Sequence, residues 1–126
     1  KIKIESIKKD KNKNIIKDKK IKNVIFREQV LKDFPPKELR GIIDQGKKEI
    51  KSGIIISISI FEGKVGVAVG VSKDLISQYD AVSLVKIASV ILGGTGGGGR
   101  KDFAQAGGVN KNKINDVFKE ILKKIN

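Results

Sequence analysis

A run of glycines in the last third of the chain carries the residues best suited to binding chemistry. Six of the fourteen glycines lie in residues 93–99. Glycine leaves backbone N–H groups uncovered, and successive uncovered N–H groups can hold an anion such as a phosphate. The residues that follow add a forked cation, a point charge, an aromatic ring and an amide for contacts to phosphates and bases. The candidate nucleic-acid-binding residues are therefore Gly96, Gly97, Gly98, Gly99, Arg100, Lys101, Phe103 and Gln105.

Two interpretations of this run are open on the residues alone. One is a phosphate site, and the other is a flexible connection whose glycines permit close backbone contact with the sheet. Phe103 suits a hydrophobic core at least as well as a stacking platform, and Asp102 either orients Arg100 or is solvated. The run is neither a Walker A loop nor a dinucleotide fingerprint, because it follows a predicted helix and no Gly-Lys-Ser/Thr ends it.

The composition excludes most catalytic and metal chemistry. The 126 residues include no His and no Cys. The chain therefore lacks the usual zinc ligands, Cys nucleophiles, His general bases and disulfides. No apolar run reaches the roughly 20 residues needed to cross a bilayer. We expect no catalytic residue, no metal, no cofactor and no membrane contact in this chain.

The formal net charge of +13 favours an anionic partner such as nucleic acid. A competing interpretation is compositional, because a chain rich in Lys, Ile and Asn is typical of an AT-rich genome. Residues 1–24 hold ten lysines against three acidic residues, a net charge of +7. We predict that residues 1–21 are a basic linker or the end of a preceding helical region. The absence of methionine, including at position 1, favours a fragment of a longer protein.

Hydrophobic periodicity predicts an α/β fold for the rest of the chain. The predicted sheet is mixed or antiparallel with a central hairpin, helices pack on it, and the Gly-rich loop precedes the C-terminal strand and helix. The thin stripe of Ile4, Ile7, Ile15 and Ile16 suggests a weak helix near the N-terminus. The predicted elements are a strand at 23–31, a helix ending near 50, a hairpin over 54–71, a helix at 81–92 and a helix near 112–125.

The two strands of the predicted hairpin each have a large and a small face. We expect helical cover over the large face, with residues of the 81–92 helix against it. The small face suits a closely packed helix or a ligand, and close packing is the favoured interpretation. The large face comprises Ile56, Ile58, Ile60, Val65, Val67 and Val69, covered by Leu84, Val85 and Ile91, and the small face comprises Ser57, Ser59, Gly66, Ala68 and Gly70.

The segment Gly96-Gly97-Gly98-Gly99-Arg100-Lys101-Asp102-Phe103-Ala104-Gln105-Ala106-Gly107-Gly108 resembles a signature near the C-terminus of alanyl-tRNA synthetases. There a Gly-rich loop leads into Arg, two variable residues, a bulky apolar residue, Ala-Gln-Ala and Gly-Gly. Upstream landmarks agree in order: Leu39-Arg40 with Asp44, then Ser52-Gly53, then Val71-Ser72-Lys73-Asp74-Leu75. The resemblance covers residues 22–126, which we expect to form a DHH-associated C-terminal domain.

The resemblance implies a domain that binds tRNA-Ala at the outer corner of the L-shaped RNA and links aminoacylation with editing. Alanine–tRNA ligase is an ATP-dependent cytoplasmic enzyme, so the other domains of the same synthetase are implied as partners. ATP, magnesium and the editing-site zinc would belong to those domains. The resemblance assigns no catalytic residue to this chain.

Two alternatives belong to other classes. The first is the substrate-binding domain of a DHH-family phosphoesterase or RecJ-like nuclease, in which the Gly-rich loop is usually followed by His. Here Arg100 follows the glycines, and Ala104-Gln105-Ala106-Gly107-Gly108 comes next, which favours the synthetase. The second is a homodimerisation module that uses the small face of the hairpin or the C-terminal helix.

Overall fold

The structure, a computed structural model, describes residues 14–94 and 96–125. Six strands form one sheet in the order β1-β2-β3-β4-β6-β5, in which β2 and β3 are parallel and all other neighbours antiparallel. The predicted α/β fold with a mixed sheet and a central hairpin is confirmed. The elements are β1 (Asn14–Ile21), β2 (Val24–Lys32), α1 (Leu39–Ile50), β3 (Gly53–Phe61), β4 (Lys64–Val71), α2 (Ala81–Ile91), β5 (Gly97–Gly99), β6 (Phe103–Gly108) and α3 (Ile114–Ile125).

The hairpin of β3 and β4 forms the centre of the sheet, as its alternating sequence predicts. The turn residues Glu62 and Gly63 have φ angles of 52° and 78°. Two successive positive φ angles are typical of a tight two-residue hairpin turn, whose twist matches that of the strands. The turn sets a register in which Ile58 lies opposite Val67. This register places the isoleucine and valine rows on one face of the sheet.

Helix α2 covers the large face of the hairpin, as predicted, and buried residues of α3 belong to the same hydrophobic cluster. Ile56, Ile58, Val65, Val67 and Val69 are buried there in one hydrophobic cluster. Leu84 and Val85 of α2 are buried in the same cluster, and the half-buried Ile60 and Ile91 pack against it.

The ends of α2 agree with the cap residues that the sequence indicates. The Asp80 carboxylate accepts a hydrogen bond of 2.9 Å from the backbone N–H of Val82, which caps the helix start. Gly93, with a φ of 80°, follows the last turn and donates its N–H to the carbonyl of Val90. The helix is thereby fixed between the sheet and the glycine run.

Helix α1 lies on the small face, which confirms close helix packing as the role of its small residues. A Cβ added at Gly66 would lie 2.7 Å from Cβ of Pro36, just before α1. A Cβ added at Gly70 would lie 2.3 Å from Cγ2 of the fully buried Ile43. Only residues without a Cβ at these two positions let α1 approach the sheet this closely.

Gly70→Ala is expected to lower the free energy of unfolding by about 1–3 kcal/mol, because the new methyl group overpacks a filled core. Gly41→Ala in α1 is the matched control. A Cβ at Gly41 would meet nothing within 4 Å, so alanine should stabilise the helix by about 0.5–1 kcal/mol. Urea unfolding of both variants measures the two effects. Equal stability of the Gly70→Ala variant and the original chain would contradict this packing.

The prediction for the N-terminal segment is wrong over residues 14–21. These residues form β1, paired with β2 along its whole length, instead of a linker or a helical stripe. Ile4 and Ile7 lie outside the described residues. Arg27 of β2 supports the pairing, since its guanidinium donates to Asp18 of β1 at 2.8 and 3.0 Å and also to Glu49 of α1. The hydrogen bond from Arg27 to Glu49 is the main cause that lowers the pKa of the Glu49 carboxyl. The charges of Asp18, Arg27 and Glu49 thus connect β1, β2 and α1.

Candidate nucleic-acid interface

The glycine run forms one strand of a hairpin at the edge of the sheet. Arg100 and Phe103 exchange backbone hydrogen bonds of 2.7 and 3.2 Å, which leaves Lys101 and Asp102 as the two turn residues. Gly97, Gly98 and Gly99 then pair with Ala106, Gln105 and Ala104. The predicted glycine loop is therefore shorter than expected, because pairing with β6 makes its second half a strand.

Several amides of the glycine run have partners inside the domain. The N–H of Gly96 donates to Oγ of Ser89 at 2.8 Å, and that of Gly94 donates to the Ser89 carbonyl at 2.8 Å. Along an antiparallel strand, residues alternate between those whose backbone groups bond to the neighbouring strand and those whose backbone groups point away from it. Arg100 and Phe103 form a hydrogen-bonded pair. The backbone amide of Gly98, two residues earlier, therefore faces β6, whereas those of Gly97 and Gly99 point to the outer edge of the sheet. An anion contact to glycine amides stays a prediction, for which these two positions are open.

The side chains of the hairpin divide between its two faces. Phe103 belongs to the hydrophobic cluster under α1. Directly paired residues share a face of a sheet, and so do alternate residues of one strand. Arg100 and Gln105 therefore lie on the α1 side with Phe103, and so does the bare face of Gly98. The structure thus brings three predicted residues to one surface, while Lys101 is exposed at the turn beside them.

This surface is flat because glycines form much of it. A Cβ at Gly98 would meet nothing within 4 Å, and one at Gly107 would meet only the Val65 carbonyl oxygen, at 3.7 Å. Both glycines are exposed, and Gln105 beside them is half-buried. We call Gly98, Gln105 and Gly107 the glycine platform. It continues into a shallow cavity of about 240 Å³ whose lining includes Pro36, Gly66 and Gly107.

Phe103 lies in the core rather than on the platform. Its side chain is 8% exposed and packs with residues of α1. The guanidinium of Arg40 lies over the ring, 5.1 Å from its centroid, at the distance of a cation–π contact. The ring is thus not placed to stack on a base, and it holds Arg40 beside the hairpin instead.

Two further cations of this surface, Arg40 and Lys47, were not among the predicted binding residues. The Lys47 Nζ atom donates to the main-chain carbonyl of Asp102 at 2.8 Å, across 55 residues of sequence. Burial is the main cause that lowers the pKa of Lys47, and the charges of Arg100 and Arg40 act in the same direction. Seven residues separate Arg40 from Lys47, which places both on one side of α1. That spacing was the available signal, but the sequence does not say that the hairpin lies against this side.

We call Arg40, Lys47, Arg100 and Lys101 the basic cluster. Its cations border the glycine platform, and the Asp102 carboxylate lies among them, 3.5 Å from Nε of Arg100 and 3.9 Å from Nζ of Lys47. An open surface of exposed glycine backbone beside these cations can receive a planar group together with an adjoining phosphate. Across residues 14–94 and 96–125, no group of three or more acidic side chains could hold a metal ion. Within the same ranges, no helix combines the length and apolar character that crossing a membrane requires.

Comparison with protein families identifies the family of the chain. The model of the DHHA1 domain matches residues 20–126. The chain belongs to the DHHA1 domain family. The match begins at residue 20, inside β1, and the interpretation of residues 1–13 as a linker stays a prediction.

The curated proteins most similar in sequence to this DHHA1 domain include several alanine–tRNA ligases. The ligase of Hyphomonas neptunium is 47% identical over 85 residues, which cover 68% of this chain and 10% of the relative. The ligase of Parvibaculum lavamentivorans is 51% identical over 84 residues, or 66% of this chain and 9% of the relative. The chain therefore spans about a tenth of the length of the curated relatives it matches.

Solved structures support the same assignment of the DHHA1 domain. The C-Ala domain of Aquifex aeolicus alanyl-tRNA synthetase matches with a TM-score of 0.80 and 27% identity, over 86% of this chain and 96% of that one. The DHH domain protein PF0399 matches with a TM-score of 0.57 and 19% identity, over 98% of this chain and 30% of that one, and shows the fold alone. The synthetase is thus favoured over the phosphoesterase, and the predicted resemblance to the C-terminal domain of alanyl-tRNA synthetases is confirmed.

Proposed function

We propose that this DHHA1 domain binds tRNA-Ala through the glycine platform and the basic cluster. One observation carries the proposal: the exposed, open backbone of Gly98 and Gly107 lies beside Arg100. Arg40 and Lys47 border the same surface. A planar base or ribose can approach the backbone closely at Gly98 and Gly107. A phosphate of the same RNA strand then reaches the guanidinium of Arg100, whose two neighbouring N–H groups match two phosphate oxygens.

The domain acts within a larger alanine–tRNA ligase on this proposal. It helps to hold tRNA-Ala while other domains, which bind ATP, magnesium and zinc, carry out aminoacylation and editing in the cytoplasm. The support is the family of the relatives and the absence of His and Cys from this sequence. The 126-residue chain alone is therefore expected neither to activate alanine nor to deacylate a mischarged tRNA.

A titration across salt concentrations tests whether a defined site or the overall charge binds RNA. If the basic cluster makes three or four phosphate contacts, a plot of the logarithm of the association constant against the logarithm of the salt concentration should have a slope of about −2 to −3. Binding by the whole +13 charge predicts a steeper slope. The measurement compares tRNA-Ala with a scrambled RNA of equal length. Equal affinities for the two RNAs, with a steep slope for both, would contradict the proposal.

A further inference from the structure

Asp102 is a carboxylate set among the cations of the proposed RNA site, where a phosphate would also be attracted. Its two cationic neighbours lie 3.5 Å (Nε of Arg100) and 3.9 Å (Nζ of Lys47) from the carboxylate oxygens. Neither distance is that of a normal hydrogen bond. The carboxylate therefore interacts with these cations mainly through charge, and its side chain is 34% exposed to solvent and to any ligand.

The fold of the turn does not depend on this carboxylate. The backbone bonds between Arg100 and Phe103 close the turn, and the main-chain carbonyl of Asp102 accepts from Val71 N–H at 3.0 Å and from Lys47 at 2.8 Å. The carbonyl, rather than the carboxylate, thus fixes Asp102 between β4 and α1. A side chain of the same shape without charge, such as asparagine, fits the same turn.

The charge of Asp102 offsets one of the four positive charges of the basic cluster. The basic cluster has four cations, and the nearby carboxylates are Asp102 and Asp44, which both act on Lys47. A phosphate that enters the cluster meets attraction from the cations and repulsion from a carboxylate within a few ångströms. At that range, and at a partly buried site, salt screens the repulsion only in part.

We propose that Asp102 is an internal competitor for RNA phosphate, which limits how tightly the basic cluster holds tRNA and so favours its release. This inference rests on the proposed function, since it concerns the affinity of the same site. It assigns to Asp102 a role in tuning affinity rather than in direct contact with RNA. The turn therefore places Arg100 and a carboxylate that partly offsets its charge, Asp102, two residues apart.

Asp102→Asn tests the inference through a gain of affinity, which structural damage would not produce. We expect the variant to bind tRNA-Ala about 3- to 10-fold more tightly at low salt, with a smaller gain at high salt. An unstructured RNA such as polyuridylate should gain by a similar factor, because the repulsion acts on any phosphate. Fluorescence titration of both RNAs measures the change, and stopped-flow dissociation should show slower release of tRNA-Ala.

Asp116→Asn is the matched control for net charge. It adds the same charge on α3, across the sheet from α1, and Asp116 is exposed. At about 0.1 M salt, where the Debye length is about 10 Å, we expect it to change RNA affinity less than 2-fold, because the sheet separates Asp116 from the basic cluster. In the Arg100→Ala background, the gain from Asp102→Asn should shrink, because part of the competition is for Arg100.

Each outcome decides between roles. Weaker binding by Asp102→Asn would overturn the inference and make Asp102 a residue that orients Arg100 for RNA. Equal gains from Asp102→Asn and Asp116→Asn would assign the effect to net charge and also overturn it. The proposed function fails separately, if Arg100→Ala binds tRNA-Ala as tightly as the original chain.

Discussion

Replacing Arg100 with alanine is expected to weaken tRNA-Ala binding by about 10- to 100-fold, the equivalent of one charge-assisted contact to a phosphate. The side chain of Arg100 is 65% exposed, so its removal should not alter the free energy of unfolding. The hairpin turn uses only the backbone of Arg100. The loss should therefore appear in binding alone, measured by titration with circular dichroism as the check on the fold.

Lys119→Ala provides the control for the Arg100 variant. Lys119 is exposed on α3, across the sheet from the glycine platform, and alanine is a good helix former. A solvated lysine away from a defined site should contribute less than about 1 kcal/mol at physiological salt. Similar losses from Arg100→Ala and Lys119→Ala would assign RNA binding to overall charge and leave the glycine hairpin as a structural element.

Gly98→Leu is expected to weaken tRNA-Ala binding by about 10- to 100-fold, the range for losing one or two stacked bases. Its Cβ would meet nothing within 4 Å, and Gly98 is exposed. Unfolding should therefore change by less than about 0.5 kcal/mol. The leucine side chain would project over the platform and exclude a planar group. Gly98→Ala should produce a smaller loss, in proportion to its size.

The specificity of the Gly98 effect needs a second exposed leucine elsewhere. Asn115→Leu places one on the exposed surface of α3, away from the platform. That variant should bind tRNA-Ala like the original chain. If the Gly98→Leu variant keeps its hairpin and still binds tRNA-Ala as tightly as the original chain, RNA does not approach the platform.

Local patterns predict the interior elements of this fold because each is buried on one face. The isoleucine and valine rows of β3 and β4 alternate, and α2 has both its cap and its terminating glycine. The edge strands lack such a signal. Residues 15–20 of β1 are exposed and rich in lysine, so no buried face marks them as a strand. The tight turn at Lys22 and Asn23 and the contact of Asp18 with Arg27 pair this segment with β2.

The candidate site was predicted only in its contiguous part. The glycine run, Arg100, Lys101 and Gln105 are neighbours in sequence, so their composition draws attention to them together. The strand β5 was not predicted, because glycine has low strand propensity and pairing with β6 decides its conformation. Arg40 and Lys47 lie more than 50 residues away and join the site only because α1 packs on glycines of the sheet. The buried position of Phe103 also follows from that packing.

A map of backbone amide shifts by nuclear magnetic resonance, recorded during addition of tRNA-Ala, tests the central claim most directly. The glycine platform and the basic cluster predict changes concentrated at Gly98, Gly107 and residues 99–101, with further changes at Arg40 and Lys47. Amides of α3 should remain unchanged. Changes centred on the groove between α2 and α3, near Val90 and Asp116, or spread evenly over the lysines, would contradict the claim that this surface binds tRNA.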